Sequence, residues 1–290
     1  MSLKESMIRA ARQGGGSTKT KEHRERVVRD YVNFCSEKNI QTKDISNIKV
    51  KHIQQYAEYL KEKLDVRSTQ NHMSAMRSML RSAGRTKFAD HRDLSNESLG
   101  IKGGTRVGTK TALSQENYKS ATAKLEARGS HGEAAALQLQ RELGLRATEA
   151  IMSVQSLDRW EKELQSGADK LTVTHGTKGG RMRDAHVIDR DRALYAIQQA
   201  RQISQAQGGK LVVTPTPSLS AARSRYEREM RAVGLSGQQS SHSARYAYAQ
   251  DRIDAYQAAG MCRKEAAAAA SCDLGHGPGR GRYIESVYSR

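Results

Sequence analysis

Four short segments carry the side chains best suited to chemistry in this 290-residue chain. In Gly144-Leu145-Arg146-Ala147-Thr148-Glu149 a glycine ends one helix and Arg146 opens the next. Glu149 stands one turn on, placed to orient the guanidinium. Lys178 sits at a glycine-rich tip, Thr177-Lys178-Gly179-Gly180-Arg181, from which an ammonium can be delivered into a site formed elsewhere. In Ser241-His242-Ser243-Ala244-Arg245-Tyr246, with Ser240 or Ser241 as N-cap, His242 and Arg245 share one side of a first helical turn. Tyr246, Ala249, Ile253 and Tyr256 continue that side as an apolar stripe. An arginine that points with the core needs an anion, either Glu149 or a substrate group, and a helix N-terminus favours one. The last segment is Leu274-Gly275-His276, followed by Tyr283 and Tyr288 in a helical stretch over 282–290.

The composition agrees with an anionic partner. Formal net charge is +18 and the pI about 9.9. Residues 1–110 hold 23 Lys+Arg against 12 Asp+Glu, and residues 111–290 hold 26 against 19. The excess is spread over the chain, as expected when two folded parts both meet nucleic acid. Three cysteines without a CxxC indicate neither a disulfide framework nor a zinc site, so no metal or cofactor is expected. No stretch approaches the ~20 apolar residues of a membrane span. A reducing cytoplasm is the expected compartment.

Around these segments the pattern is mainly helical with one small sheet. Aromatic residues are only 5 %, so the cores should be Ala-, Leu- and Met-rich helical layers. Helices are expected from Ser2 to Gln13, from about Thr18, from Val50 to Lys63, and from an N-cap at Ser68 or Thr69. That last helix turns Met73, Met76, Met79 and Leu80 inward and leaves Asn71, Arg77 and Arg81 on a basic face, with Arg85 and Lys87 beyond it. Residues 101–111 read as a linker between a helical domain, 1–100, and a second domain, 112–290. Residues 1–17 form an N-terminal helix or arm. The linker misses the phosphate-loop pattern, because Thr109 follows Gly108 and Lys110 comes one place late, and ATP binding is rejected. In the second domain helices are expected over 114–128, 131–143, 190–206, 218–232, 241–259 and 263–273, with strands at 171–174 and 184–188.

In order, GLRxxE, a hairpin lysine, HxxR, LGH and a C-terminal tyrosine resemble the tyrosine recombinase family, which includes phage integrases and Xer-like enzymes. The resemblance covers about 112–290, and the N-terminal part looks like the family's helical, SAM-like core-binding domain. It implies that Arg146 and Arg245 clamp the scissile phosphate and that Lys178 protonates the leaving 5′ oxygen. It further implies that His242 handles protons, His276 contacts a phosphate oxygen, and Tyr288 is the nucleophile, with Glu149 in support. Arg67, Asn71, Arg77, Arg81, Arg85 and Lys87 would contact DNA. Physical chemistry agrees with this division of labour. Displacing oxygen from a phosphodiester piles negative charge on the phosphoryl oxygens, and each well-placed donor supplies about 3 kcal/mol, so several must act together. A tyrosine with an ordinary pKa of about 10 needs such a site to attack well.

What the resemblance implies is a site-specific recombinase that works without metal or ATP through a 3′-phosphotyrosine intermediate and a Holliday junction. The expected partners are double-stranded DNA carrying recombination sites and three further copies of the chain in a tetramer. The free protein would be a monomer or dimer, an accessory DNA-bending or directionality factor is possible, and the setting would be the bacterial nucleoid. Strand passage like that of a type IB topoisomerase, or DNA binding without catalysis, are the alternatives. Three features depart from the family pattern. Tyr288 lies twelve residues after His276 and Tyr283 seven, where about nine is usual. Tyr246 stands where many relatives carry histidine. Only two residues follow Tyr288, so assembly contacts should come partly from elsewhere, or the chain is trimmed.

Overall fold

The computed structural model describes residues 1–104 and 108–288. The chain divides into two compact units, 1–105 and 106–290.

Among the described residues the first unit holds five α-helices: α1 (Leu3–Gln13), α2 (Thr18–Glu37), α3 (Val50–Lys63), α4 (Val66–Ser82) and the single turn α5 (Thr86–Ala89). Ser2 and Glu5 form a reciprocal cap that starts α1, and Arg24 of α2 donates to the carbonyls of Gly14 and Gly15 at its end. Tyr31, Phe34 and Tyr56 pack ring to ring at 5.0–6.0 Å beside Met73, Met76 and Met79. The start of α4 differs from expectation. Its cap is Asp65, whose Oδ1 accepts from the Ser68 amide at 2.9 Å, while Thr69 lies inside the helix and donates its hydroxyl to the Asp65 carbonyl. A carboxylate three residues ahead of Ser68 is a cap in its own right and moves the start forward by a turn.

The basic face of α4 also differs in part. Arg67, Asn71, Arg81 and Lys87 are exposed, Arg81 pairing with Asp90 at 2.5 Å. Arg77 is half-buried and donates to the Leu94 carbonyl and to Asn96. Arg85 donates to the carbonyls of Ile45 and Ile48 and covers the Phe88 ring. Long side chains that can close a helical fold from the inside do so, and these two are committed to it. The expected linker is likewise shorter than 101–111. Ile101 is buried in the first unit, and Gly108 to Leu113 run against the second. Thr105 to Val107 lie outside the described residues.

In the second unit α6 (Gln115–Ala127), α8 (Ala147–Met152), α10 (Arg190–Ala206), α11 (Leu219–Ala232) and α12 (His242–Ala258) pack around α7 (His131–Leu143). Three successive alanines, Ala134 to Ala136, let these neighbours approach the central helix closely. A helix the sequence pattern did not reveal, α9 (Leu157–Gln165), buries the single tryptophan, Trp160, whose Nε1 donates to the Thr172 carbonyl at 3.1 Å. Strands β1 (Lys170–Val173) and β2 (Arg183–His186) pair antiparallel with Leu171 opposite Ala185, each starting one residue earlier than expected. The chain ends with α13 (Arg263–Asp273) packed on α14 (Gly281–Tyr288). No helix among the described residues is long and apolar enough to cross a membrane.

Trp160 is 1 % exposed. Replacing it with alanine removes a large side chain from a closed core, so Trp160→Ala should lower stability by about 3–5 kcal/mol, read by circular dichroism in a urea titration.

Candidate active site

The site begins at two helix ends. Gly144 ends α7 with φ +58°, and a Cβ there would lie 2.3 Å from the Tyr248 ring. Gly275 follows α13 with φ +67°, and a Cβ there would lie 2.7 Å from Cδ of Arg183. Only glycine fits either turn. The carbonyls freed at these ends, where the helix dipole is negative, are satisfied by guanidiniums. The Gly144 carbonyl accepts from Arg245 Nη1 and from Arg183 Nη2 at 3.1 Å. The Leu274 carbonyl accepts from Arg245 Nη2 at 2.5 Å and from Arg146 Nη2 at 3.4 Å. The Asp273 carbonyl accepts from Arg183 Nη1 at 2.8 Å.

Among the described residues, one carboxylate sits between the three arginines. Glu149 is fully buried, with Oε1 2.5 Å from Arg146 Nη1 and Oε2 2.8 Å from Arg183 Nη2. Burial works to raise its pKa, but Arg183, Arg245 and Arg146 outweigh it and hold the carboxyl at about 2. Burial and the neighbouring Arg183 lower Arg245 to about 10, which leaves it charged at neutral pH. Three guanidiniums thus share one carboxylate. The Nε atoms of Arg183 and Arg245 are buried and meet no acceptor among the described residues. The surplus charge suits an incoming anion.

Both imidazoles look into this cationic setting. Burial, then Arg245 and Arg146, lower His242 to about 4, and the same causes lower His276 to about 4. Both rings are therefore neutral at pH 7 and can accept a proton. His276 Nε2 stands 3.4 Å from the Tyr288 hydroxyl. Tyr288 is 3 % exposed, its ring 4.4 Å from that of Tyr246 and 6.3 Å from His242. Tyr283 lies on the same helix with its ring 5.3 Å from His276, against 6.0 Å for the Tyr288 ring, but it is the Tyr288 hydroxyl that comes within 3.4 Å of His276 Nε2. α14 is held from two sides, by Gln250 donating to the Tyr288 carbonyl at 3.0 Å and by the Gly108 amide on the Ser286 carbonyl at 3.4 Å. A Cβ on Gly108 would come 2.4 Å from the Val287 carbonyl oxygen.

Lys178 is exposed on the turn between β1 and β2 and stands outside the guanidinium cluster, but it lines a cleft of about 830 Å³ with Arg146, Arg181, His276 and Arg280. A second cleft of about 500 Å³ opens on the other side of Arg146, lined by Lys110, Arg223, Arg231 and His242. Ser241 holds the N-cap position of α12, as expected, but its side chain makes no capping hydrogen bond. Ser243 Oγ instead ties down the preceding turn, accepting from the Ser240 amide at 3.0 Å and donating to the Gln238 carbonyl at 3.1 Å. Ser240 and Ser241 line the second cleft. Arg183 and Asp273 were not anticipated. Starting β2 at Asp184 put Arg183 in the hairpin turn, whereas alternation with the buried Ala185 turns it inward.

Comparison with known proteins bears on the fold and the family. The integrase family model matches residues 100–251, and the model for the N-terminal domain of phage integrases matches residues 1–89. Among solved structures, the Tn1549 transposon integrase in complex with transposon right end DNA matches with TM-score 0.62 and 15 % identity, over 99 % of this chain and 95 % of that one. The lambda integrase tetramer bound to a Holliday junction matches with TM-score 0.57 and 14 % identity, over 95 % and 77 %. No curated protein matches. The chain belongs to the phage integrase family of tyrosine recombinases.

Two outcomes test the cluster. Arg183→Ala strips a buried carboxylate of one partner and should cost about 3–5 kcal/mol in a urea titration followed by Trp160 fluorescence. Acid should destabilise the second unit in two stages. Between pH 6.5 and 4 the unfolded chain binds protons that folded His242 and His276 refuse, so stability falls as pH falls. Below 4.5 the Glu149 contribution is lost in turn, as pH drops towards 2. A His242→Gln, His276→Gln double variant should keep only the second stage in thermal melts, and an unchanged first stage would contradict the assignment.

Proposed function

We propose that this recombinase cuts and rejoins DNA at specific sites with Tyr288 as nucleophile, and the observation that carries the reading is the Tyr288 hydroxyl on His276 inside a three-arginine pocket. Arg146 and Arg245 hold the non-bridging oxygens of the scissile phosphate. The tyrosine oxygen attacks phosphorus, its proton passes to one of the two neutral imidazoles, and the bond to the 5′ oxygen breaks. Lys178, on the cleft that Arg146 shares with His276, supplies the proton that the leaving oxygen needs. The 3′-phosphotyrosine link keeps the energy of the broken bond, so a second 5′-hydroxyl can attack it and restore both the DNA and the tyrosine without ATP.

Exchange between two duplexes requires paired sites and several active copies. The lambda integrase tetramer on a Holliday junction supports the same assembly here, with two successive strand exchanges through a four-way junction. The free chain would be monomeric or dimeric, and an accessory bending or directionality factor would set the outcome. Arg67, Asn71, Arg81 and Lys87 are exposed on the first unit and suited to backbone phosphates, whereas Arg77 and Arg85 would act by shaping that surface. Membership of the integrase family favours recombination over relaxation of a single duplex, and the complete set of reactive side chains favours catalysis over binding alone.

A selection from random DNA tests the reading and finds the target together. Nicked duplexes with randomised sequence are incubated with the protein, and denaturant-stable adducts are recovered and sequenced. A defined site should emerge, adduct formation should vanish in Tyr288→Phe, and Tyr283→Phe should retain it. Adducts that survive Tyr288→Phe would remove Tyr288 from the mechanism.

A further inference from the structure

The two clefts beside Arg146 differ in what they can do. The one with Lys178 contains the group assigned to the leaving oxygen. The other has no such role, yet it gathers Lys110, Arg223 and Arg231 with Arg146 against a single carboxylate, Glu227. Lys110 is anchored there by its ammonium on the Gly237 carbonyl, and the backbone that carries it is pinned by the Thr111 amide on Gln238 at 3.0 Å and the Leu113 amide on Ser243 at 3.0 Å. Arg223 is paired with Glu227 at 2.7 Å, and among the described residues Lys110 and Arg231 have no ion pair. Hydroxyls of Thr148, Ser240 and Ser241 line the same space. A volume of about 500 Å³ with Lys110, Arg146 and Arg231 on its walls, beside Ala147, Met230 and Leu235, can seat a phosphodiester with its charge on the cations and its sugar against the apolar side chains.

A DNA strand carries one charge per ~3.4 Å of helix rise, so a scissile phosphate held by Arg146 brings its neighbours within a nucleotide on either side. We propose that the Lys110–Arg231 cleft is a second phosphate site, which binds the phosphate immediately 5′ of the scissile one. The inference rests on the strand-transfer reading above and sorts the two products of cleavage. The strand that leaves with a 5′-hydroxyl departs past Lys178. The strand that stays joined to Tyr288 is gripped one phosphate further back by Lys110 and Arg231. That grip keeps the covalent half in register while the partner strands exchange.

The experiment uses the full chain and the site recovered from the adduct selection, made as suicide duplexes with a neutral methylphosphonate at one chosen position. Adduct rates are compared for the wild type, Arg231→Ala, and Lys110→Ala combined with Arg231→Ala. Arg231 is exposed, so its replacement leaves folding intact, and thermal melts check the double variant. In the wild type, neutralising the 5′-adjacent phosphate should slow adduct formation about tenfold. The double variant should be slowed about tenfold on natural DNA and no further by that methylphosphonate. A methylphosphonate on the 3′ side should slow wild type and variant by the same factor. If the double variant stays as sensitive to the 5′-side change as the wild type, or the coupling falls on the 3′ side, the assignment is wrong. Failure of the wild type to form any adduct on unmodified DNA would instead overturn the strand-transfer reading.

Discussion

Everything reactive in this protein is arranged around the cost of burying guanidinium groups. Three arginines from distant parts of the second unit converge, and one buried carboxylate cannot neutralise them. What makes the arrangement tolerable is the backbone. Two helices, α7 and α13, end at the same place, and their terminal carbonyls accept donors that would otherwise lack partners. Each helix end therefore serves as a fixed partial negative charge that holds a cation without cancelling it. A full set of carboxylates would have stabilised the resting protein better and left nothing for a phosphate to do.

The same electrostatics fixes the state of the neighbouring side chains. Burial, and after it the neighbouring Arg245 and Arg146, keep His242 and His276 neutral around the tyrosine. Tyr246, pushed up to about 12 chiefly by burial, keeps its proton and offers Tyr288 a flat ring to rest against. Pocket charge, imidazole protonation and tyrosine placement follow from one cluster of side chains. A change in one is felt by the others.

Much of this was legible in the residue pattern. The helical periodicities located most of the elements to within a residue or two, and the ordered boxes around Arg146, Arg245 and His276 pointed to one pocket because their residue types share a single chemistry. The failures have physical causes. A cap can be supplied by any of several nearby oxygens, so Asp65 displaced Ser68. Arg77 and Arg85 read as surface charge because sequence gives residue type and face but not the carbonyls within reach of a long side chain. Arg183 was hidden by a one-residue uncertainty in a four-residue strand, where a single step exchanges inside for outside. Trp160 went unplaced because its helix is short and its partner, the Thr172 carbonyl, comes from a later strand.

Connecting segments ordinarily drift in sequence with little penalty. Gly108 does not belong to that class. Its amide rests on the last turn of the helix that ends in Tyr288, with no space for even a methyl group beside the Val287 carbonyl. The identity of this connecting residue is therefore governed by the helix that carries Tyr288, and an engineer who grafts a different N-terminal module onto the second unit must make the splice upstream of it.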